Sequence, residues 1–212
     1  MRILGLIGAA LLSLASQAGL ALAAVDDVFI VARVPVQATG DSATAAKDAA
    51  QGSGRRRAMD LLLRRLTTEA DWQYLPGLAA GRPASAAADG AGKTPVAISP
   101  AGLEALESGF EVYDEKASST TYRAYITYRF KPDAVRRLLK QSKIPYSEAQ
   151  TRVALVLPVL QTDSGLYLWE SNNPWMAAWK SRPYTHELTP MQAPLGDLED
   201  SSAISPRQAL DL

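Results

Sequence analysis

Residues 151–160 read TRVALVLPVL, an apolar run that is almost continuous from Val153 onward. The run is too short for a long helix, and it lacks the alternation of a strand with one solvated face. A strand that is apolar on both faces belongs to a sheet that helices cover on each side, and such sheets are usually parallel. The sequence therefore predicts a central strand at 153–160, buried on both faces, in a fold that is α+β to α/β.

The chain before this run predicts a strand, a helix, a β-hairpin and a second helix. The stretch Val28–Val36 is rich in β-branched residues, and Pro35 places the end of this strand at a sheet edge or a bulge, because proline cannot donate to a ladder. Five residues form its apolar face: Val28, Ile30, Ala32, Val34 and Val36. Residues 43–66 follow the N-cap residue Ser42 and repeat small or apolar side chains at helical spacing, which predicts one long helix.

Two glycines and five arginines lie inside this predicted helix. Gly52 and Gly54 each weaken a helix by about 1 kcal/mol relative to alanine, so the helix should bend or fray there unless it packs closely against a neighbour. The arginines are Arg55, Arg56, Arg57, Arg64 and Arg65. They form either an anion or lipid-headgroup patch or a solvated helix face, and the solvated face is the more common arrangement.

The predicted hairpin consists of strands at 110–116 and 121–130, joined by residues 117–120. The second strand alternates cleanly and therefore has one buried face. Its apolar face carries Tyr122, Ala124, Ile126, Tyr128 and Phe130. Its other face carries Arg123, Tyr125, Thr127 and Arg129, which form either an ordinary solvated surface or a surface for a ligand or partner. A helix that starts at Pro132 follows, with Val135, Leu138 and Leu139 on its buried side.

Composition divides the chain further. Residues 77–102 are rich in Ala, Gly, Pro and Ser, which predicts a flexible surface insertion in a first unit at 25–147. Residues 87–94, AADGAGKT, resemble a relaxed phosphate loop, but no strand precedes them and Pro95 follows, so no nucleotide is expected. A second α/β unit spans 150–212 around the predicted central strand. It ends on a helix start at Ser205, and we expect it to be incomplete at its C-terminal side.

The N-terminus has the layout of a secretory signal peptide. Arg2 precedes an apolar stretch, and the small residues before Ala24 predict cleavage after Ala23 and a periplasmic location. The alternative is an inner-membrane anchor, since residues 3–25 exceed the roughly 20 that a spanning helix needs. Membrane contact is expected only through this segment, if it is not cleaved.

Charge and composition exclude several classes of protein. Removal of Arg2 with the signal leaves a net charge of −1, so the chain has no overall electrostatic attraction for nucleic acid. The absence of cysteine excludes a thiol nucleophile and a disulfide framework. His186 is the single histidine, there is no Gly-x-Ser-x-Gly elbow, and no spacing suggests a metal or other cofactor. The sequence therefore contains no recognisable catalytic constellation.

Three of the four tryptophans cluster between residues 169 and 179. Trp175 and Trp179 are four residues apart in a short helix predicted after Pro174, so they share a helix face. With Trp169, and with Arg123 and Arg129 of the hairpin, they are the candidate ligand or partner surface. A small hydrophobic core is the other use of such tryptophans.

The sequence leaves two functions open. The preferred prediction is a non-catalytic binding or assembly factor of the cell envelope whose partner is an envelope protein or glycan. The alternative is a periplasmic hydrolase that uses carboxylates, for which Asp197 with Glu199 or Glu170 are candidates.

Several junctions in the sequence resemble a bacterial exported family called domain of unknown function 2066. They are 61–67 (LLLRRLT), 128–135 (YRFKPDAV), 153–158 (VALVLP) and 194–200 (PLGDLED). The resemblance covers most of the mature chain except the insertion, and it implies an exported protein that continues beyond residue 212 with another helix and strand. It transfers no catalytic residue. The layout is also similar in outline to envelope assembly proteins of flagella and curli, as a fold-level analogy.

Overall fold

The computed structural model describes residues 28–78, 92–93, 96–181 and 184–212, which adopt an α+β fold. The predicted signal peptide and most of the predicted insertion, including most of the sequence that resembles a phosphate loop, lie outside these residues. No helix among the described residues is long and apolar enough to cross a bilayer.

The predicted order of strand, helix, hairpin and helix is confirmed. Its elements are β1 (Ile30–Thr39), α1 (Ala43–Leu66), β4 (Glu107–Ala117), β5 (Thr121–Phe130) and α3 (Pro132–Gln141). The three strands form an antiparallel sheet in the order β1-β5-β4, and α1 packs on β1 and β5. Ser42 caps α1 by accepting a hydrogen bond from the Ala45 N–H, as its residue type indicates.

The core lies between α1 and the inner face of this sheet. All five apolar residues predicted for β5 are buried, and Tyr122 and Tyr128 are among its largest fully buried side chains. The Tyr128 hydroxyl donates to the Gln51 carbonyl of α1 at 2.9 Å, which satisfies this polar group inside the core. Burial raises the pKa of Tyr128. The inner face of the sheet is therefore fixed to α1 by packing and by a hydrogen bond.

β1 is an edge strand, as Pro35 indicated, but its predicted apolar face is only partly right. Its register with β5 shifts between Val31 and Val34, and Arg33 has a φ of 50° at this bulge. The bulge brings Val31 into the core with Val34, whereas Ile30 and Ala32 stay half-buried. The prediction was therefore wrong at Ile30 and Ala32, because one inserted residue reverses the alternation of a strand.

The described part of the predicted insertion contains regular structure. β2 (Gly77–Leu78) pairs in parallel with β3 (Ala97–Ile98), and α2 (Pro100–Leu106) follows with Ser99 as its N-cap. Ile98 and Leu103 are buried in the core. The sequence does not reveal α2, because Ala, Gly and Pro dominate the composition there and only Leu103 and Leu106 provide its apolar contact.

A 3-10 helix (Glu69–Tyr74) connects α1 to this region. The Asp71 carboxylate is 4% exposed and lies 2.5 Å from the Lys93 ammonium. The hydrogen bond from Lys93 holds the pKa of Asp71 below its usual value, and Thr68 adds a second hydrogen bond. This ion pair anchors residues 92–93 to the 3-10 helix.

The predicted central strand at 153–160 is wrong. β6 comprises only Ala154–Leu155 and pairs in parallel with β9 (Met191–Gln192), while Val153 and Leu155 are 53% and 64% exposed. A separate hairpin joins β7 (Leu160–Thr162) to β8 (Gly165–Tyr167). Two-stranded ribbons have too few neighbours to cover both faces of a strand, so the apolar run stays largely at the surface.

The remaining helices of this part are short: α4 (Pro174–Ser181), α5 (Leu198–Ala203) and α6 (Pro206–Leu210). The buried Asn173 joins the start of α4 to the neighbouring hairpin region. The Asn173 side-chain amide donates to the carbonyls of Pro158, Tyr167 and Leu168, and its oxygen accepts from the N–H groups of Trp175 and Met176 at the start of α4. After residue 150, the buried apolar side chains among the described residues are few: Pro158, Leu168, Met176 and Pro190.

Arg65 connects this part of the chain to the sheet. Its guanidinium donates to the Val28 and Ile30 carbonyls at 2.8 and 2.7 Å and binds the Glu187 carboxylate through two nitrogens at 2.9 and 2.7 Å. The Arg65 side chain is 8% exposed. One planar guanidinium thus satisfies two carbonyls beside β1 and one carboxylate, a geometry that an ammonium does not reproduce.

We expect Gly54→Ala to lower the free energy of unfolding by about 1–3 kcal/mol. A Cβ at this buried position would lie 2.5 Å from the Tyr128 hydroxyl and would also overlap a Val36 methyl group. Gly52→Ala is the matched control, because its Cβ meets only the Arg56 guanidinium at 3.8 Å, and it should stabilise α1 by up to about 1 kcal/mol. Urea denaturation of both variants measures the difference, and equal effects would contradict the close packing at Gly54.

Arg65→Ala should lower the free energy of unfolding by roughly 2–4 kcal/mol, because it leaves two carbonyls and a partly buried carboxylate without their donor. Arg65→Lys should recover only part of this loss. Arg137→Ala, at an exposed position of α3, serves as the control and should change stability by less than about 0.5 kcal/mol. If Arg65→Lys had the same free energy of unfolding as the wild type, the planar geometry of the guanidinium would be unimportant for stability.

Candidate partner-binding surface

The structure gives the three tryptophans of the predicted surface three different environments. The Trp169 indole donates to the Ile204 carbonyl at 2.8 Å and packs beside Gly196. The Trp179 ring contacts the Tyr184 ring at 5.2 Å between centroids. Trp175 is 60% exposed. Trp169 and Trp179 thus have structural contacts, and only Trp175 offers its ring to solvent.

The two predicted arginines of the hairpin lie on the outer face of the sheet, opposite α1. The Arg129 guanidinium pairs with the Glu111 carboxylate at 2.6 Å on the neighbouring strand. The Glu111 pKa lies below its usual value, chiefly because the Tyr113 hydroxyl donates to it and also because of Arg129. Arg129 is therefore part of a cross-strand network, and Arg123 is the hairpin arginine that remains available.

Arg123 forms a row with Gln37 and Lys116 across the three strands. The register places Arg123 opposite Gln37 on β1 and opposite Lys116 on β4. All three side chains are exposed, and no carboxylate among the described residues forms an ion pair with Lys116 or Arg123. Like charges directly opposite each other destabilise an antiparallel pair. The pairing of Lys116 with Arg123 therefore lowers the stability of the sheet.

Arg33 of the edge strand β1 reaches across the outer face of the sheet. The Arg33 guanidinium lies over the rings of Tyr113 and Tyr125, 5.5 and 5.2 Å from their centroids, and pairs with the Asp114 carboxylate at 2.9 Å. Arg33 and Asp114 both adopt positive φ, at 50° and 52°, so a bulge in each edge strand aims its side chain at the other. This contact spans β5 and orders the two tyrosines.

A cleft of about 840 Å³ adjoins the row of Gln37, Arg123 and Lys116. Its two acids are already neutralised, since Asp114 pairs with Arg33 and Glu115 pairs with Lys47 at 2.9 Å. The hydrogen bond from Lys47 lowers the pKa of Glu115 and raises that of Lys47. The lining cations Arg57, Lys116 and Arg123 have no carboxylate partner among the described residues. The cleft therefore has an excess of positive charge.

Three other arginines of α1, Arg55, Arg64 and Arg65, serve structural roles. Arg55 pairs with Glu104 and Glu107, and Arg64 pairs with Asp60 and lies 4.7 Å from the centre of the Trp72 ring. Arg65 makes the contacts described above. A lipid-headgroup patch formed by all five arginines is thus ruled out by these pairings.

The carboxylates considered for hydrolysis act as caps or turn residues. Asp197 caps α5 by accepting from the Asp200 N–H, and Glu170 accepts from the Leu168 N–H at 2.7 Å. No group of three or more metal-ligating side chains occurs among the described residues.

His186 lies half-buried in a second cleft of about 520 Å³, with Tyr184 and Trp72. The cleft is formed where residues 184–187 meet α1 and β1. Its Glu187 carboxylate is held by Arg65, so the cleft is part of the contact between the two parts of the chain.

Comparison with models of protein families, with curated proteins and with solved structures finds no match for this chain.

Lys116→Glu should raise the free energy of unfolding by roughly 0.2–1 kcal/mol, because it replaces a like-charge pair with an ion pair to Arg123. Lys116→Gln should give a smaller gain, since it removes the repulsion without adding an attraction. Thermal unfolding at low ionic strength measures both variants, and the difference should shrink in high salt. Destabilisation by Lys116→Glu would contradict an electrostatic repulsion between Lys116 and Arg123 in the wild type.

Proposed function

We propose that this protein is an exported, periplasmic factor that binds a protein partner in the bacterial cell envelope without catalysis, and that it belongs to the family called domain of unknown function 2066. The signal-like N-terminus supports export, and the four sequence junctions support the family. The partner binds at the free edge of β4. The observation that carries this proposal is the exposed, regular section of that edge.

β4 pairs with β5 and with no other strand among the described residues, and none of its side chains is fully buried. Its register shifts twice, between Glu107 and Gly109 and between Tyr113 and Lys116. Between these shifts, five residues from Gly109 to Tyr113 pair regularly with β5 and present an edge about 17 Å long. A regular exposed edge is a template for an added strand.

Side chains at this edge also favour a protein partner. Phe110 is 38% exposed although its ring lies 6.1 Å from that of Tyr128, so it extends the apolar inner face of the sheet past α1. Tyr113 is 37% exposed on the outer face. An added strand would cover an aromatic ring on each side while its backbone pairs with β4, and these are the two contributions that strand addition uses for specificity and affinity.

A photo-crosslinking residue in place of Phe110, in the full chain expressed in its own cell, should produce one recurrent crosslinked partner. The same residue in place of Trp175 tests the competing surface on α4, and in place of Leu195, which is 82% exposed, it tests nonspecific capture. Mass spectrometry identifies the products. Crosslinks from Trp175 but not from Phe110 would move the interface to α4 and contradict strand addition at β4.

Hydrogen exchange gives a second measurement on the identified complex. Protection should increase in residues 109–113, because their outward backbone groups become hydrogen-bonded to the partner. Unchanged exchange there would mean that Phe110 contacts the partner only through its side chain.

A further inference from the structure

We infer that the segment of the partner that adds to β4 is acidic and that its carboxylates bind at Lys116 and Arg123. This inference rests on the proposed function, since it names the chemistry of the strand that the β4 edge would take.

The first observation is the row that Gln37, Arg123 and Lys116 form across β1, β5 and β4. β4 is the edge strand, so an added strand would supply the fourth position of this row, directly beside Lys116. Directly opposed side chains in such rows have their Cβ atoms about 5 Å apart, so an acid at this position would lie directly beside Lys116, with Arg123 one strand further along the row. The row thus ends in two positive charges at the side where the partner would lie.

The second observation is the charge balance of the neighbouring cleft. Asp114 and Glu115 are each held by a cation of their own, Arg33 and Lys47. Arg57 adds a further unpaired cation to the lining, so the cleft and the row share one sign of charge. Charge complementarity therefore selects an anionic occupant.

The third observation separates an acidic segment from a small anion. Lys116 and Arg123 are exposed and lie in an open cleft, so neither a buried cation nor a closed ring of donors would replace the hydration of an isolated phosphate. Surface ion pairs contribute little one at a time. A strand that already pairs with β4 holds its carboxylates in place, and several weak ion pairs then add to the backbone contacts.

The remaining outer-face residues set the limit of this cationic region. Next along the sheet, Arg33 lies over the rings of Tyr113 and Tyr125 and pairs with Asp114, and Arg129 is neutralised by Glu111. Acidic side chains are thus required only near Lys116 and Arg123, whereas the part of the partner beside Gly109 to Tyr113 meets aromatic and neutralised groups. The expected segment is therefore acidic at one end and apolar along the rest.

The test uses fluorescent hexapeptides and the full chain, measured by anisotropy at low ionic strength. An acetylated Glu-Glu-Val-Thr-Val-Thr peptide, acidic at one end only, should bind, and the matched Lys-Lys-Val-Thr-Val-Thr peptide should bind at least about tenfold more weakly. Lys116→Glu/Arg123→Glu should weaken the acidic peptide by about tenfold or more. The control Arg137→Glu/Lys140→Glu makes the same charge change on exposed residues of α3 and should weaken it by less than about twofold.

The acidic-strand inference would be overturned if the two double variants lost the same affinity for the acidic peptide, or if both peptides bound the wild type equally. Either result would leave strand addition in place. Inorganic phosphate that binds more tightly than the peptide, with the same dependence on Lys116 and Arg123, would overturn it in favour of a small-anion site. Binding of neither peptide, together with no crosslink from Phe110, would overturn the proposed function itself. The charge-reversed variant keeps a like-charge pair at this position, so its thermal unfolding should match the wild type and confirm that any loss is local.

Discussion

The close contact between α1 and the sheet at Gly54 is the constraint on which the rest of this structure depends. A hydrogen atom is all that fits between the helix backbone and the side chains of Val36 and Tyr128, and the Tyr128 hydroxyl bonds the same turn of helix at Gln51. The small residues Ala46, Ala50 and Ala58 are buried on the same helix. With α1 fixed over β1 and β5, β4 receives little cover from the helix, and its edge becomes the open side of the sheet.

This arrangement separates a packed face from a face that is organised by charge. The inner face buries apolar and aromatic side chains, whereas the outer face consists of cation–ring contacts and cross-strand ion pairs. The other two outer-face cations, Arg33 and Arg129, each pair with a carboxylate, which makes the like-charge pair of Lys116 and Arg123 distinct. Two adjacent like charges do not stabilise the fold, but an anion that binds beside them gains favourable electrostatic energy.

The C-terminal part of the chain is stabilised more by polar contacts than by a hydrophobic core. Its polar centre at Asn173 and the Arg65 fork to Glu187 hold it in place, and fully buried apolar side chains are few. Hydrogen bonds of this kind depend on geometry that only the folded chain provides. The apolar run at 153–160 therefore misled the sequence analysis, because hydrophobicity alone does not specify whether neighbouring strands are present to cover it.

The sequence by itself determined the helix at 43–66, the apolar face of β5 and the order of the first elements, since these follow from periodicity and caps within one segment. It did not determine the register of the hairpin. A four-residue connection at 117–120 would place Asp114 opposite Arg123, whereas the tighter turn, in which the Ser118 N–H donates to the Thr121 carbonyl, pairs Ala117 with Tyr122 and Lys116 with Arg123. The bulges at Arg33 and Asp114 likewise arise from tertiary pairing. The candidate surface was therefore decided by the tertiary structure, because a two-residue shift in the pairing of β4 places Lys116 instead of Asp114 opposite Arg123.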